Sequence, residues 1–143
     1  MHEIKSKTLA DWLTKKTNAI ETEIKSIYPL SGGASMYTWE IVASFNGGFL
    51  DGISKLILRS QSDAPLIQSI GVINEFQLLQ FLKSQKLKVP EPVLLDERGR
   101  ITGNPAFIMR RIIGSSKSIG VPNTLTYLDR KKLTRDIGIQ LGR

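Results

Sequence analysis

The run Met36–Phe45 sets Tyr37, Trp39, Ile41, Ala43 and Phe45 on one side of an extended chain. That period of two is the signature of a strand with one buried face. Small-residue turns bracket it. Ser31-Gly32-Gly33-Ala34-Ser35 precedes it, and Asn46-Gly47-Gly48 follows, where Asn and Gly accept positive φ at low cost. A strand before the first turn and a strand ending Lys55–Arg59 after the second complete an antiparallel meander. The first turn reads in two ways: as a plain hairpin, or as a loop whose missing side chains let backbone N–H groups approach an anion.

Further elements flank the meander. Thr8 followed by Asp11 has the form of a capping box, and Leu9, Trp12 and Leu13 recur at helical spacing, which predicts a helix over residues 8 to 18. From Ile20 the period becomes two, with Ile24, Ser26, Tyr28 and Leu30 on one strand face. Ile67, Ile70, Ile73, Leu78 and Phe81 predict the main helix of the domain over 66 to 84. It ends before Val89-Pro90-Glu91-Pro92, where two prolines enforce extended chain. Val93-Leu94-Leu95 and Ala106–Met109 read as two more strands, with a turn at Glu97-Arg98-Gly99-Arg100. After Gly114 the polar stretch Ser115–Asn123 reads as a linker. A last helix begins near Thr124 or Thr126, with Leu125, Leu128, Leu133, Ile137 and Leu141 on its apolar side. It stops at Arg143 with no cap, proline or polar tail, which reads as a truncation.

Composition narrows the chemistry. A 143-residue chain that is 41% hydrophobic and 23% charged is long enough for one core. It has no cysteine and a single histidine, His2, so disulfides, thiolate metal sites and a Ser-His-Asp triad are excluded. No apolar run reaches the roughly 18 residues of a membrane span, and the N-terminus lacks a signal-peptide core, so cytoplasmic residence is expected. A net charge of +7 favours an anionic partner. Its clusters, Lys83-Lys86-Lys88 and Arg130-Lys131-Lys132-Arg135, also suit solvated helix faces. They lack interleaved aromatics, which counts against single-stranded nucleic acid.

In consistent order, Leu30–Met36, Ile57-Leu58-Arg59-Ser60, Asn74–Leu82, Val89–Pro92 and Gly103–Gly114 resemble the aminoglycoside phosphotransferase and choline kinase-like family, within the protein-kinase-like folds. The branch found alongside acyl-CoA dehydrogenases is especially similar. The resemblance implies an α+β fold: the N-terminal lobe, an antiparallel sheet of about five strands with one main packed helix. It divides the chain into a nucleotide-binding lobe (1–109), hinge and linker (110–123), and the first helix of a truncated C-terminal lobe (124–143).

The same resemblance assigns roles. Gly32, Gly33, Ala34 and Ser35 would cover the phosphates of ATP or GTP through backbone N–H groups. Arg59 would hold the α- and β-phosphates, and Glu75 would orient Arg59 through an ion pair. Met109, Arg110, Arg111 and Ile112 would form the hinge that reads the purine edge. Many relatives have an acidic residue where this chain has Arg110. From the residues alone, Arg59 also reads as a strand-end surface cation and Glu75 as a solvated helix glutamate.

The family's His-Gly-Asp catalytic loop and Asp-x-Asp magnesium segment have no counterpart in these residues. The expected function is therefore the nucleotide lobe of a small-molecule kinase, inactive alone, with the hydroxyl acceptor and magnesium bound by the missing lobe. Self-association of the exposed lobe face is expected with it. The alternative is a complete, non-catalytic basic module that binds nucleotide or nucleic acid. Salt separates its two variants, because nucleic-acid binding weakens steeply with ionic strength.

Overall fold

In a computed structural model, the alternating run becomes the second strand of a five-stranded antiparallel sheet, and three helices complete an α+β fold. The structure describes residues 3–30, 36–63, 69–114 and 126–142. The strands are β1 (Glu21–Leu30), β2 (Met36–Asn46), β3 (Gly52–Gln61), β4 (Pro92–Asp96) and β5 (Ala106–Arg110), in spatial order β1-β2-β3-β5-β4. The helices are α1 (Ser6–Thr17), α2 (Val72–Ser84) and α3 (Tyr127–Leu141).

The larger core lies under α1, not under the helix expected to be the main one. Leu9, Trp12 and Leu13 fall at i, i+3 and i+4 and pack on Trp39, Ile41, Ala43, Phe45, Leu56, Leu58 and Ile108. Leu9 and Leu13 are fully buried, each worth roughly 1.5–3 kcal/mol. The capping box expected at Thr8 and Asp11 does not form. Ile4 is drawn into the core, so the chain turns helical from Ser6 behind an uncapped Lys5, and Asp11 instead faces Lys7 at 3.5 Å in solvent. The helix stops at Asn18, whose left-handed φ of 57° Asn tolerates better than most residues.

The β1 face also differs from expectation. A bulge between Ile24 and Ser26 shifts the register, so Ile24 lies opposite Ala43 and Ile27 opposite Ile41, and both pack on the α1-side core. Ser26, Tyr28 and Leu30 take the opposite face, opposite Val42, Glu40 and Thr38. One inserted residue thus reverses the parity that simple alternation predicts.

The Asn46-Gly47-Gly48 turn is present, with both glycines at φ 76°. It folds back onto the end of α1, where Phe49 N–H donates to the Thr17 carbonyl at 3.2 Å. A Cβ on Gly48 would collide with that carbonyl, so tertiary approach and φ both demand glycine.

Helix α2 begins later than residue 66. Gly71, at φ 76° and ψ 156°, breaks the chain direction immediately before Val72; residues 64–68 lie outside the described set. Its packing face is Val72, Phe76 and Leu79, at i, i+4 and i+7, against Met36, Leu95, Phe107 and Met109. The Phe76 and Phe107 rings meet edge to face at 5.8 Å. Ile70, Leu78 and Phe81, expected on the packing side, are exposed.

The β4–β5 turn is held by buried Asp96, whose Oδ2 accepts from the Ile101 N–H at 2.9 Å. The expected last helix is α3. Its capping box is the one at Thr126 and Asp129, each side chain accepting from the other's backbone N–H. Leu128, Leu133 and Ile137 on α3 are exposed; Leu125 and the Leu141 side chain lie outside the description. Gln140 Oε1 accepts from the Lys88 N–H at 3.0 Å, tying α3 to the chain ahead of β4. Among the described residues no helix is long and apolar enough to cross a membrane.

Candidate functional site

Cross-strand register decides which polar residues meet. Thr38, Arg59, Phe107 and Leu95 form one row across four strands, and Glu40, Ile57 and Met109 form the next. These side chains share the sheet face opposite α1. Helix α2 packs over Phe107 and Leu95 and reaches Met109, which with Ile57 and Glu40 also lines a groove.

Arg59 and Glu75 are brought together where α2 meets the sheet. Arg59 Nη2 lies 3.1 Å from Glu75 Oε1 and 3.2 Å from Oε2. The side chains are 29% and 24% exposed, so the pair is neither freely solvated nor sealed. Its attraction is therefore stronger than that of a surface bridge, without the full cost of burying two charges. Glu75 stands in the first turn of α2, where the helix dipole favours a carboxylate. Arg59 Nε is buried and has no hydrogen-bond partner among the described residues, so the guanidinium has donor capacity beyond its pairing with Glu75.

Two residues along β3, roughly 7 Å from Arg59, Ile57 lines a groove of about 440 Å³. Leu30, Pro90 and Met109 give it apolar walls, and Arg110, Arg111 and Ile112 bound one side. A volume of this order suits a small ligand. Met109 and Arg110 belong to β5, so the segment expected as a hinge starts inside the sheet. The Arg110 N–H donates to the Glu91 carbonyl at 2.9 Å and the Arg111 N–H to the Lys55 carbonyl at 3.0 Å. The polar backbone groups of Ile112 have no partner among the described residues.

The two arginines part company. Arg110 Nε lies 3.4 Å from Glu91 Oε2, in an exposed pair at the groove's edge. Arg111 Nε lies 2.8 Å from Glu40 Oε2, and those side chains are 32% and 19% exposed. The pair links the segment after β5 to β2, on the same face as Ile57. Glu40 is the residue that sequence reasoning missed. It lies between Trp39 and Ile41 on the face opposite the aromatic residues, and only the register shows that this second face lines the groove.

The phosphate-loop candidates Gly32, Gly33, Ala34 and Ser35 lie outside the described residues. Asp129 is held below the usual carboxylate range, first by the hydrogen bond from the Thr126 hydroxyl and then by that from the Thr126 N–H. This is a capping effect on α3. Among the described residues no group of three His, Cys, Asp or Glu side chains is placed to hold a metal ion.

The fold has a counterpart among solved structures. A crystal structure described as a "putative aminoglycoside phosphotransferase", from Ralstonia eutropha JMP134, matches with a TM-score of 0.54 and 15% sequence identity. The match covers 79% of this chain and 29% of that one, so the chain spans less than a third of that structure's length. At this identity the likeness establishes a shared fold, of the kinase-like kind expected. No protein-family model matches the chain, and no curated protein matches it in sequence.

Proposed function

We propose that this chain forms the nucleotide-binding lobe of a small-molecule phosphotransferase related to the aminoglycoside phosphotransferases and choline kinases, within the acyl-CoA dehydrogenase-associated branch. The observation that carries the reading is the Arg59–Glu75 pair on a half-covered sheet face, next to a groove of about 440 Å³. A nucleotide is an apolar plane joined to a polyanion. The groove between Leu30, Ile57 and Met109 fits the plane, and Arg59, one strand repeat away, fits the α- and β-phosphates.

In this reading Glu75 holds the Arg59 guanidinium in place, and its remaining donors face phosphate oxygens. Loop residues Gly32, Gly33, Ala34 and Ser35 cover the phosphates through backbone N–H groups, and Ile112 offers free backbone groups to the base. The bound nucleotide supplies the transferable γ-phosphoryl group; magnesium and the hydroxyl acceptor are held by residues outside this lobe. The whole reaction belongs to a longer protein of cytoplasmic residence.

Titration calorimetry with ATP and GTP, on the polypeptide expressed from its native gene, tests the reading. Arg59→Met is expected to weaken binding of both nucleotides by roughly tenfold or more, because a charge-assisted phosphate contact is lost. Glu75→Gln should cost less, since the cation remains. Binding that ignores Arg59→Met would overturn the assignment.

A further inference from the structure

Resting on the nucleotide reading above, we infer that Arg111, held by Glu40, makes this groove selective for guanine over adenine nucleotides. The juxtaposition is specific. Arg111 and Glu40 line the same groove as Leu30, Ile57 and Met109, so a guanidinium–carboxylate pair stands among its apolar walls. In this scheme a base seated between those apolar walls meets Arg111 at its edge.

The chemistry of that edge separates the purines. Guanine presents two adjacent acceptors, O6 and N7, which match the fork of a guanidinium in a bidentate contact. Adenine presents N7 next to the N6 amino group, so one arm of the fork faces a donor and is left unpaired. Arg111 is suited to the first arrangement. Glu40 approaches its Nε edge at 2.8 Å, and no other carboxylate pairs with it among the described residues.

Glu40 is a positioning residue in this scheme. With its side chain 19% exposed, the carboxylate stands on β2 between Trp39 and Ile41, both held in the core. The strand is thus fixed, and the ion pair restrains a side chain that would otherwise sample many rotamers. Arg110 does not compete for the role, since Glu91 draws its guanidinium to the groove's outer edge.

The test compares GTP and ATP affinities by calorimetry on the polypeptide expressed from its native gene, with Arg111→Lys and Glu40→Gln beside the parent. GTP is expected to bind at least tenfold more tightly than ATP, the order expected of a good bidentate base contact. Arg111→Lys keeps the charge but lacks the fork, so it should bring the GTP-to-ATP ratio close to one, with the larger loss falling on GTP. Glu40→Gln should reduce the ratio in part. Its circular dichroism, matched to the parent, guards against a folding defect.

Equal affinity in the parent, or a preference for ATP, overturns this inference and leaves the nucleotide reading standing. A GTP preference that survives Arg111→Lys also overturns it. Failure of both nucleotides to bind overturns the nucleotide reading and this inference together.

Discussion

The two faces of one sheet are built to different standards. Under α1 the strands contribute Trp39, Ile41, Phe45, Leu56, Leu58 and Ile108, and the helix answers with Leu9, Trp12 and Leu13. That face is closed by the chain's own apolar side chains. On the other face α2 covers Met36, Phe107 and their neighbours and meets Arg59, while Glu40 and Ile57 lie beside a groove. Charges there are paired across elements, Arg59 with Glu75 and Arg111 with Glu40. The closed face holds the strands in register; the open face uses that register to bring polar groups from distant parts of the chain together. A binding site gains from this division, because rigid strands fix the side chains that a ligand would meet.

The contrast is sharpest in stability. Leu13→Ala, on the closed face, should cost about 3 kcal/mol, because a fully buried side chain leaves a cavity. Phe81→Ala, on the outer side of α2 where the ring is 61% exposed, should change stability by no more than about 0.5 kcal/mol. Urea unfolding of both variants measures the difference. A Phe81 loss as large as that of Leu13 would show that the outer side of α2 is covered in the native protein, and the comparison would break.

Next in size is the seam between α1 and the β2–β3 turn. Gly48→Ala should cost about 2 kcal/mol, since it combines a strained φ with a clash against the Thr17 carbonyl. Gly52→Ala, at φ 89° with no atom within 4 Å, should cost only the backbone strain, about 1 kcal/mol. Thermal melts that rank Gly52→Ala as the more harmful would mean that the turn does not rest on α1.

The smallest effect concerns α3, whose Leu128, Leu133 and Ile137 are exposed. The Asp129 carboxyl is lowered by its bonds to Thr126, so its folded-state pKa lies below the ordinary value of 3.8. The sign follows: the cap's contribution is present above the unfolded pKa and is lost as pH falls through the lower folded value. An NMR titration of the carboxyl carbon should find the midpoint below 3.8 in the parent, returning toward it in Thr126→Ala. A midpoint at or above the ordinary value would remove the capping box.

Much of the fold was legible in the sequence because its signals are local. Alternation in Met36–Phe45, the Asn46-Gly47-Gly48 turn and the prolines after Lys88 each act within a few residues. The misreadings came where a distant contact outweighed a local pattern. Ile4, buried in the core, started α1 before Thr8, and Gly71 delayed α2. The site was legible through the resemblance more than in its geometry. Arg59 and Glu75 stand 16 residues apart on different elements, and it was the family resemblance that proposed the pair, since residue type alone left a surface cation and a solvated glutamate open. Glu40 carried no such signal, since a polar residue on the outer side of a strand is ordinary.

By itself, then, the sequence determined the element order, the antiparallel meander and the absence of cysteine and clustered-histidine chemistry, because periodicity, turn chemistry and residue inventory need no partner. Only the tertiary structure decided which face of the sheet α1 would close, where the β1 bulge would reverse parity, and that Glu40 would meet Arg111. Those outcomes depend on strand register, and register is set by the fit of whole faces against one another, which no short window of residues contains.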